Sequence, residues 1–178
     1  MRRFALGLLM VCTLSNAAFA EVLAASPQGF SLKIRTHTRA APALAYDAFV
    51  QIGQWWHPDH SYSGDAGNLS LQLTPGGAFL EKLPSGGFVK HMELVYADPG
   101  KEIRLLGGLG PLQSMGLDGA LSVSFEPAEQ GGTTVTMTYN VSGFTPGGLE
   151  GLAPIVDSVQ REQMERHAAY ADSLYQAD

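Results

Sequence analysis

Cysteine is nearly missing from this sequence: the single one, Cys12, lies inside an N-terminal apolar run. The rest of the chain therefore has no thiol for nucleophilic catalysis, disulfide bonding or a thiolate metal centre. Positive charge is also scarce. Eleven Lys and Arg face seventeen Asp and Glu, for a net charge of -6. That balance argues against nucleic acid as a partner and against attraction to anionic lipid. No Gly-x-Ser-x-Gly elbow occurs, and the glycine-rich stretch Gly107 to Gly116 lacks the Lys-Ser/Thr ending and basic neighbours of a phosphate cradle. Beyond residue 20 no apolar run is long enough to cross a bilayer. What is present is 45% hydrophobic with 16% charged residues. This composition excludes a disordered tail and can bury the core of one domain.

The first twenty residues read as an address. Met1-Arg2-Arg3 is a short positive region, Phe4 to Leu14 is apolar, and Ala18-Phe19-Ala20 ends in the small residues that a signal peptidase reads. Residues 1–20 are therefore expected to be a signal peptide cut near Ala20, exporting the chain to the bacterial periplasm or beyond. An uncleaved N-terminal anchor is the alternative. No stable membrane insertion is expected after cleavage. Residues 21–28 are expected to be a short linker and 29–178 a single domain.

Along that domain the hydrophobic period is mostly two. Phe30, Leu32 and Ile34 alternate with Ser31, Lys33 and Arg35, which predicts a half-buried strand. Pro42 then opens a short helix whose apolar residues run to Ile52. Strands are predicted from Leu69, from Ala78 to Leu83, Phe88 to Tyr96, Glu102 to Leu106, around Leu121 to Phe125 and from Val135 to Val141. Gly- and Pro-rich turns separate them, as in an antiparallel meander. From Leu149 to Tyr175 the alternation stops and Leu152, Val156, Val159, Gln163, Tyr170 and Leu174 recur on one helical face. The expected fold class is α+β, a curved antiparallel sheet of six or seven strands wrapped on a long C-terminal helix. Leu152, Val156 and Val159 are expected to be buried against the sheet.

This order of elements resembles the helix-grip fold of the START/Bet v 1-like superfamily, also called SRPBCC or polyketide cyclase/dehydrase. Gln54-Trp55-Trp56-His57-Pro58, Gly76-Gly77-Ala78-Phe79 and Tyr96-Ala97-Asp98-Pro99-Gly100-Lys101 resemble its Hsp90 ATPase activator-like branch. Leu109-Gly110-Pro111-Leu112-Gln113 and Val141-Ser142-Gly143-Phe144 followed by Pro146-Gly147-Gly148-Leu149 resemble an exported, uncharacterised subgroup. The resemblance implies an apolar cavity between sheet and helix, used by some relatives to carry hydrophobic molecules and by others for chemistry. It carries over no catalytic residue.

Candidate ligand-binding residues follow from side-chain type. Trp55, Trp56, His57, His60 and Tyr62 concentrate aromatic surface and hydrogen-bonding tips in one loop, which suits a ligand mouth or an aromatic corner that pins the loop. Phe79 and Met115 add apolar contact, and Gln163 and His167 are polar groups on the buried side of the long helix. His91 and Glu93 share a strand face by alternation, so His91 is a candidate acid/base beside a carboxylate or part of a solvated patch. The pair His57 and His60 would need His91 or Glu93 as third ligand to hold a metal, and no metal or cofactor is expected. The glycine-rich stretch is a flap or a plain connection. Three functions are compatible with these residues. The leading one is an exported carrier of a small hydrophobic molecule, its oligomeric state open. The second is a cofactor-free cyclase or hydratase-like enzyme, with His57, His91 or His167 as acid/base and Tyr62 or Gln163 polarising the ligand. The third is a protein-interaction module with an exposed apolar patch.

Overall fold

A computed structural model of the chain describes residues 19–176, so most of the expected signal peptide lies outside the described residues. The chain forms strands β1 (Phe19–Ser26) and β2 (Gly29–Thr38), helix α1 (Pro42–Val50), strands β3 (Leu69–Leu71), β4 (Ala78–Lys82), β5 (Phe88–Asp98) and β6 (Glu102–Leu106), the short helix α2 (Pro111–Ser114), strands β7 (Asp118–Pro127) and β8 (Thr133–Ser142), and the long helix α3 (Ala153–Leu174). All strands join one antiparallel sheet in the order β1-β2-β8-β7-β6-β5-β4-β3. Early β2 pairs with the last strand along its whole length, from Gly29 opposite Ser142 to Thr38 opposite Thr133.

Among the described residues the sheet has eight strands, not the six or seven expected from the sequence. The additional one is β1, which occupies most of the stretch read as a linker, residues 21–28. An edge strand is held by backbone pairing and needs no apolar alternation. Here Val22 and Leu23 are both exposed, and a bulge between Val22 and Ala24 breaks the period.

The core follows the alternation elsewhere. Leu32 and Ile34 of β2, Val123 of β7, and Val135, Met137 and Tyr139 of β8 turn inward and are almost fully buried. Helix α3 covers this face but not as expected. Its C-terminal half packs through Met164, His167, Ala168 and Ala171, the two alanines letting the helix come close to the strands. Thr38 Oγ1 and the Arg39 N–H both donate to Asp172 Oδ1, at 2.6 and 2.7 Å, tying the helix end to the end of β2. Leu152, Val156 and Val159, expected against the sheet, are only half-buried, and Ile155 is exposed. The helix phase explains this: at its N-terminal half Asp157 and Gln160 take the buried side. The half-buried aliphatics face a cavity instead.

Candidate ligand-binding cavity

Between the N-terminal half of α3, the sheet and two loops lies a cavity of about 320 Å³. Ligand pockets span about 300–1,000 Å³, so the space suits a small molecule. Leu152, Val156 and Val159 form its helix wall, with Gln160 at the edge of the core. Trp56, His60 and Tyr62 enter from the loop after α1, Phe79 and His91 from β4 and β5, and Leu109, Leu112 and Met115 from the glycine-rich loop. A smaller void of about 20 Å³ shares Trp56, Phe79, Leu109 and Gln160 with it and adds Trp55 and Gln163. Its size is that of about one water molecule.

The loop after α1 is held in several places. Trp55 is buried and its Nε1 donates to the carbonyls of Ala48 and Phe49, at 3.0 and 3.2 Å. Trp56 Nε1 donates to the His60 carbonyl at 2.9 Å, leaving its ring face for the cavity and for an edge contact with Phe79. The Asp59 N–H donates to His57 Nδ1 at 3.1 Å, which caps a short turn at Pro58–His60. Gln163 Oε1 on α3 accepts the His57 N–H at 2.8 Å. Glu162, a residue to which the sequence drew no attention, lies 3.6 Å from His57 Nε2 and 3.1 Å from His60 Nε2. Among the described residues no group of three or more His, Cys, Asp and Glu side chains is placed to hold a metal ion.

His91 has a different carboxylate partner from the one alternation suggests. Glu93 makes a surface pair with Lys90 at 2.7 Å, whereas His91 Nε2 is 3.0 Å from Oε2 of Glu81 on β4. The cause is a bulge. Phe79 pairs with Met92 and Leu80 with Lys90, so His91 is the extra residue on β5 and is buried together with Met92. Glu81 is fully buried, and the Ser63 N–H donates to its Oε1 at 2.5 Å. Burial pushes this carboxyl up, but hydrogen bonds from the Ser63 side chain and backbone, the Tyr62 backbone and His91 outweigh it and hold the group below its ordinary value. Burial likewise pushes the His91 imidazole down more than Glu81 pulls it up. The pair is therefore a carboxylate beside a neutral imidazole. Phe79 lies against the ring at 4.7 Å, and Tyr62, half exposed, stacks over it at 6.0 Å.

The glycine-rich loop is a wall of the cavity and is anchored from below by Tyr139. Its hydroxyl accepts the Leu109 N–H at 2.9 Å and donates to the Gly107 carbonyl at 3.2 Å. Burial pushes the phenol up to about 12. Gly107 has a φ of +143°, and a Cβ there would come within 2.9 Å of the His91 carbonyl, so a side chain would separate the loop from β5.

Of the residues singled out from sequence, Trp56, Tyr62, Phe79, His91 and Met115 line the cavity. Trp55 and Gln163 border the smaller void, and the His57 ring and His167 border neither. His167 sits in the core, its Nε2 donating to the Ala45 carbonyl at 2.9 Å, with Phe49, Trp55 and Phe125 around it. His60, part of the aromatic loop cluster, also lines the cavity, whereas Gln160 on its wall and Glu81 behind His91 are not singled out by the sequence. Gln160 lies three residues before Gln163, a helical spacing that would have placed the two amides together.

No protein-family model matches this sequence, and no curated protein matches it. Solved structures do. An uncharacterised protein of Rhizobium leguminosarum aligns over 88% of this chain and 99% of its own, with a TM-score of 0.59 at 19% identity. Mll3558 of Rhizobium loti aligns over 86% and 99%, with a TM-score of 0.59 at 18% identity. The di-domain ARO/CYC protein BexL of the BE-7585A biosynthetic pathway aligns over 86% of this chain and 52% of its own, with a TM-score of 0.57 at 15% identity. The fold is that of these proteins.

Proposed function

We propose that the protein binds a small hydrophobic molecule in the cavity between sheet and α3, as an exported binding or carrier protein. The observation that carries this reading is the cavity itself. A chain that packs its sheet tightly under the C-terminal half of α3 keeps about 320 Å³ open beneath the N-terminal half, walled by Leu152, Val156, Val159, Leu109 and Leu112. Unfilled apolar space is costly to keep, so a natural occupant explains it better than packing does. Export and the Hsp90 ATPase activator-like branch are part of the proposal and are supported by the leader pattern and the order of sequence motifs. The protein purified from a heterologous host should carry an extra apolar mass in native mass spectrometry or take up apolar dyes. Failure of every such probe, with side chains filling the space in an experimental structure, would remove the reading. Fractionation of a Gram-negative host expressing the full chain tests export: the shortened protein belongs in the periplasmic fraction.

One observation favours a second reading, a cofactor-free cyclase or hydratase-like enzyme. His91 is a neutral imidazole on the cavity wall with a carboxylate behind it, the arrangement of a general base and its orienting group. Such a base would take a proton from an activated carbon, the C–H electron pair moving into the neighbouring carbonyl as an enolate. Deuterium exchange into aromatic β-diketones should then be accelerated by the protein and not by His91→Phe. Exchange at the buffer rate would dispose of this reading.

A further inference from the structure

We propose that Glu162 and His60 form a pH-responsive clamp at the cavity, which holds the aromatic loop more firmly on α3 as pH falls and so slows exchange of the occupant. The proposal rests on the cavity reading above and adds its regulation.

The geometry begins with a stripe on α3. Ile155, Val159, Glu162 and Arg166 are spaced by three or four residues, which on a helix is one line along its surface. Ile155 and Val159 belong to the cavity wall, and the polar end of the helix grips the loop after α1. Arg166 Nε donates to the Trp55 carbonyl at 2.7 Å, and Gln163 Oε1 accepts the His57 N–H at 2.8 Å. Glu162 Oε2 lies 3.1 Å from His60 Nε2, and its Oε1 lies 3.6 Å from His57 Nε2. The same loop supplies Trp56, Asp59, His60, Ser61 and Tyr62 to the cavity, so holding the loop on α3 holds a wall of the site.

Of these attachments only the one through Glu162 can change its charge near neutral pH, because a guanidinium stays charged and an amide stays neutral while an imidazole titrates there. The two imidazoles are not equivalent. His57 Nδ1 accepts the Asp59 N–H, so a proton added there would break the cap of the Pro58–His60 turn. The polar contact of the His60 ring among the described residues is with Glu162. A proton on His60 therefore converts a neutral hydrogen bond into a charge-assisted one, which is stronger. Asp59, 3.9 Å from His57 Nδ1, adds a second carboxylate, and Glu165 and Arg166 add charges of opposite sign one turn along α3. The glycine-rich loop across the cavity carries no charged side chain. Beyond Tyr62 lies the buried Glu81–His91 pair, whose imidazole burial holds below its ordinary value. On the core side His167 packs on Trp55, its imidazole pushed down to about 4. Proton uptake at His167 loosens the fold and so opposes the clamp.

The experiment measures release of Nile red from loaded protein into excess phosphatidylcholine vesicles at about pH 8 and about pH 6, either side of an ordinary imidazole value of about 6.5. Wild-type release should slow about two- to fivefold at the lower pH, the scale of one partly exposed ion pair. Glu162→Gln keeps an acceptor without the charge and His60→Gln cannot take the proton, so in both the two rates should agree. His37→Gln, whose ring reaches the Gly131 carbonyl between β7 and β8, should keep the wild-type dependence. Amide exchange of the unliganded protein reads the clamp without a dye: protection of residues 57–62, corrected for intrinsic exchange, should rise at the lower pH in wild type and not in Glu162→Gln. A merely structural Glu162 would lower protection equally at both pH values. Release that does not slow, or that slows equally in Glu162→Gln, would overturn the clamp and leave the cavity reading standing. No dye uptake at either pH would remove the cavity reading and the gating role with it.

Discussion

The side-chain oxygen of Gln163 accepts the backbone N–H of His57 at 2.8 Å, joining the middle of α3 to the aromatic loop across more than a hundred residues of sequence. This bond helps to set the loop over the cavity, because Trp56 lies just before His57 and His60 and Tyr62 lie just after it. The other end of the same amide, Nε2, is buried without a partner among the described residues. Gln163→Leu therefore removes one favourable bond and one unfavourable group together. The expected net loss is about 1 kcal/mol, read from urea unfolding. An unchanged or higher stability would mean that the bond contributes less than the unpartnered amide costs.

His167 makes stability depend on pH. Burial pushes its imidazole down to about 4 against an ordinary value of 6.5, so between these limits the unfolded chain binds the proton and the folded one does not. Its share of stability is complete above pH 6.5 and is lost as pH falls towards 4, amounting to roughly 3 kcal/mol. Unfolding curves across that interval should fall steeply for wild type and more gently for His167→Phe. Parallel slopes would show that other groups control acid unfolding.

Val156 separates packing from the cavity. It is half-buried, lining the cavity while packing against the edge of the core, so a carboxylate there keeps partial access to solvent. Val156→Asp should cost no more than about 1–2 kcal/mol, well below the several expected of an unpaired core charge, yet abolish uptake of an apolar dye. Large destabilisation would put Val156 back in the core.

Tyr139→Phe tests the anchor of the glycine-rich loop. Losing the hydroxyl strands the buried Leu109 N–H, at an expected cost of about 1–3 kcal/mol. Amide exchange should accelerate across residues 107–117 while the β7–β8 pairing stays protected. Uniform loosening of the sheet would contradict a local role.

The sequence makes the central strands readable and hides the features that matter for the site. Leu32 and Ile34, or Val135, Met137 and Tyr139, alternate strictly because their strands are regular and have one buried face. The edge strand β1 buries little, so nothing in its composition distinguishes it from a linker. The partner of His91 escapes for another reason: at a bulge two consecutive residues turn the same way, so counting by twos couples His91 with Glu93 when its partner is Glu81. Nothing in the sequence pairs Glu81 with Ser63 or His91, which only the chain fold brings against it. On α3 the expected face holds at Gln163, which is buried, but not at Leu152, Val156 and Val159, because in the N-terminal half the buried side carries Asp157 and Gln160 while the aliphatic residues line the open cavity.

A titration with Nile red, run on wild type and on Val159→Trp in parallel, bears most directly on the central claim. Val159 lies on the cavity wall, half-buried, so an indole there fills the space without entering the packed sheet. Wild type should show saturable fluorescence enhancement with one dye per chain, and Val159→Trp should lose it while its melting temperature stays close to wild type. Saturable binding that is the same in both proteins, or none in either, would contradict a cavity built to hold a ligand.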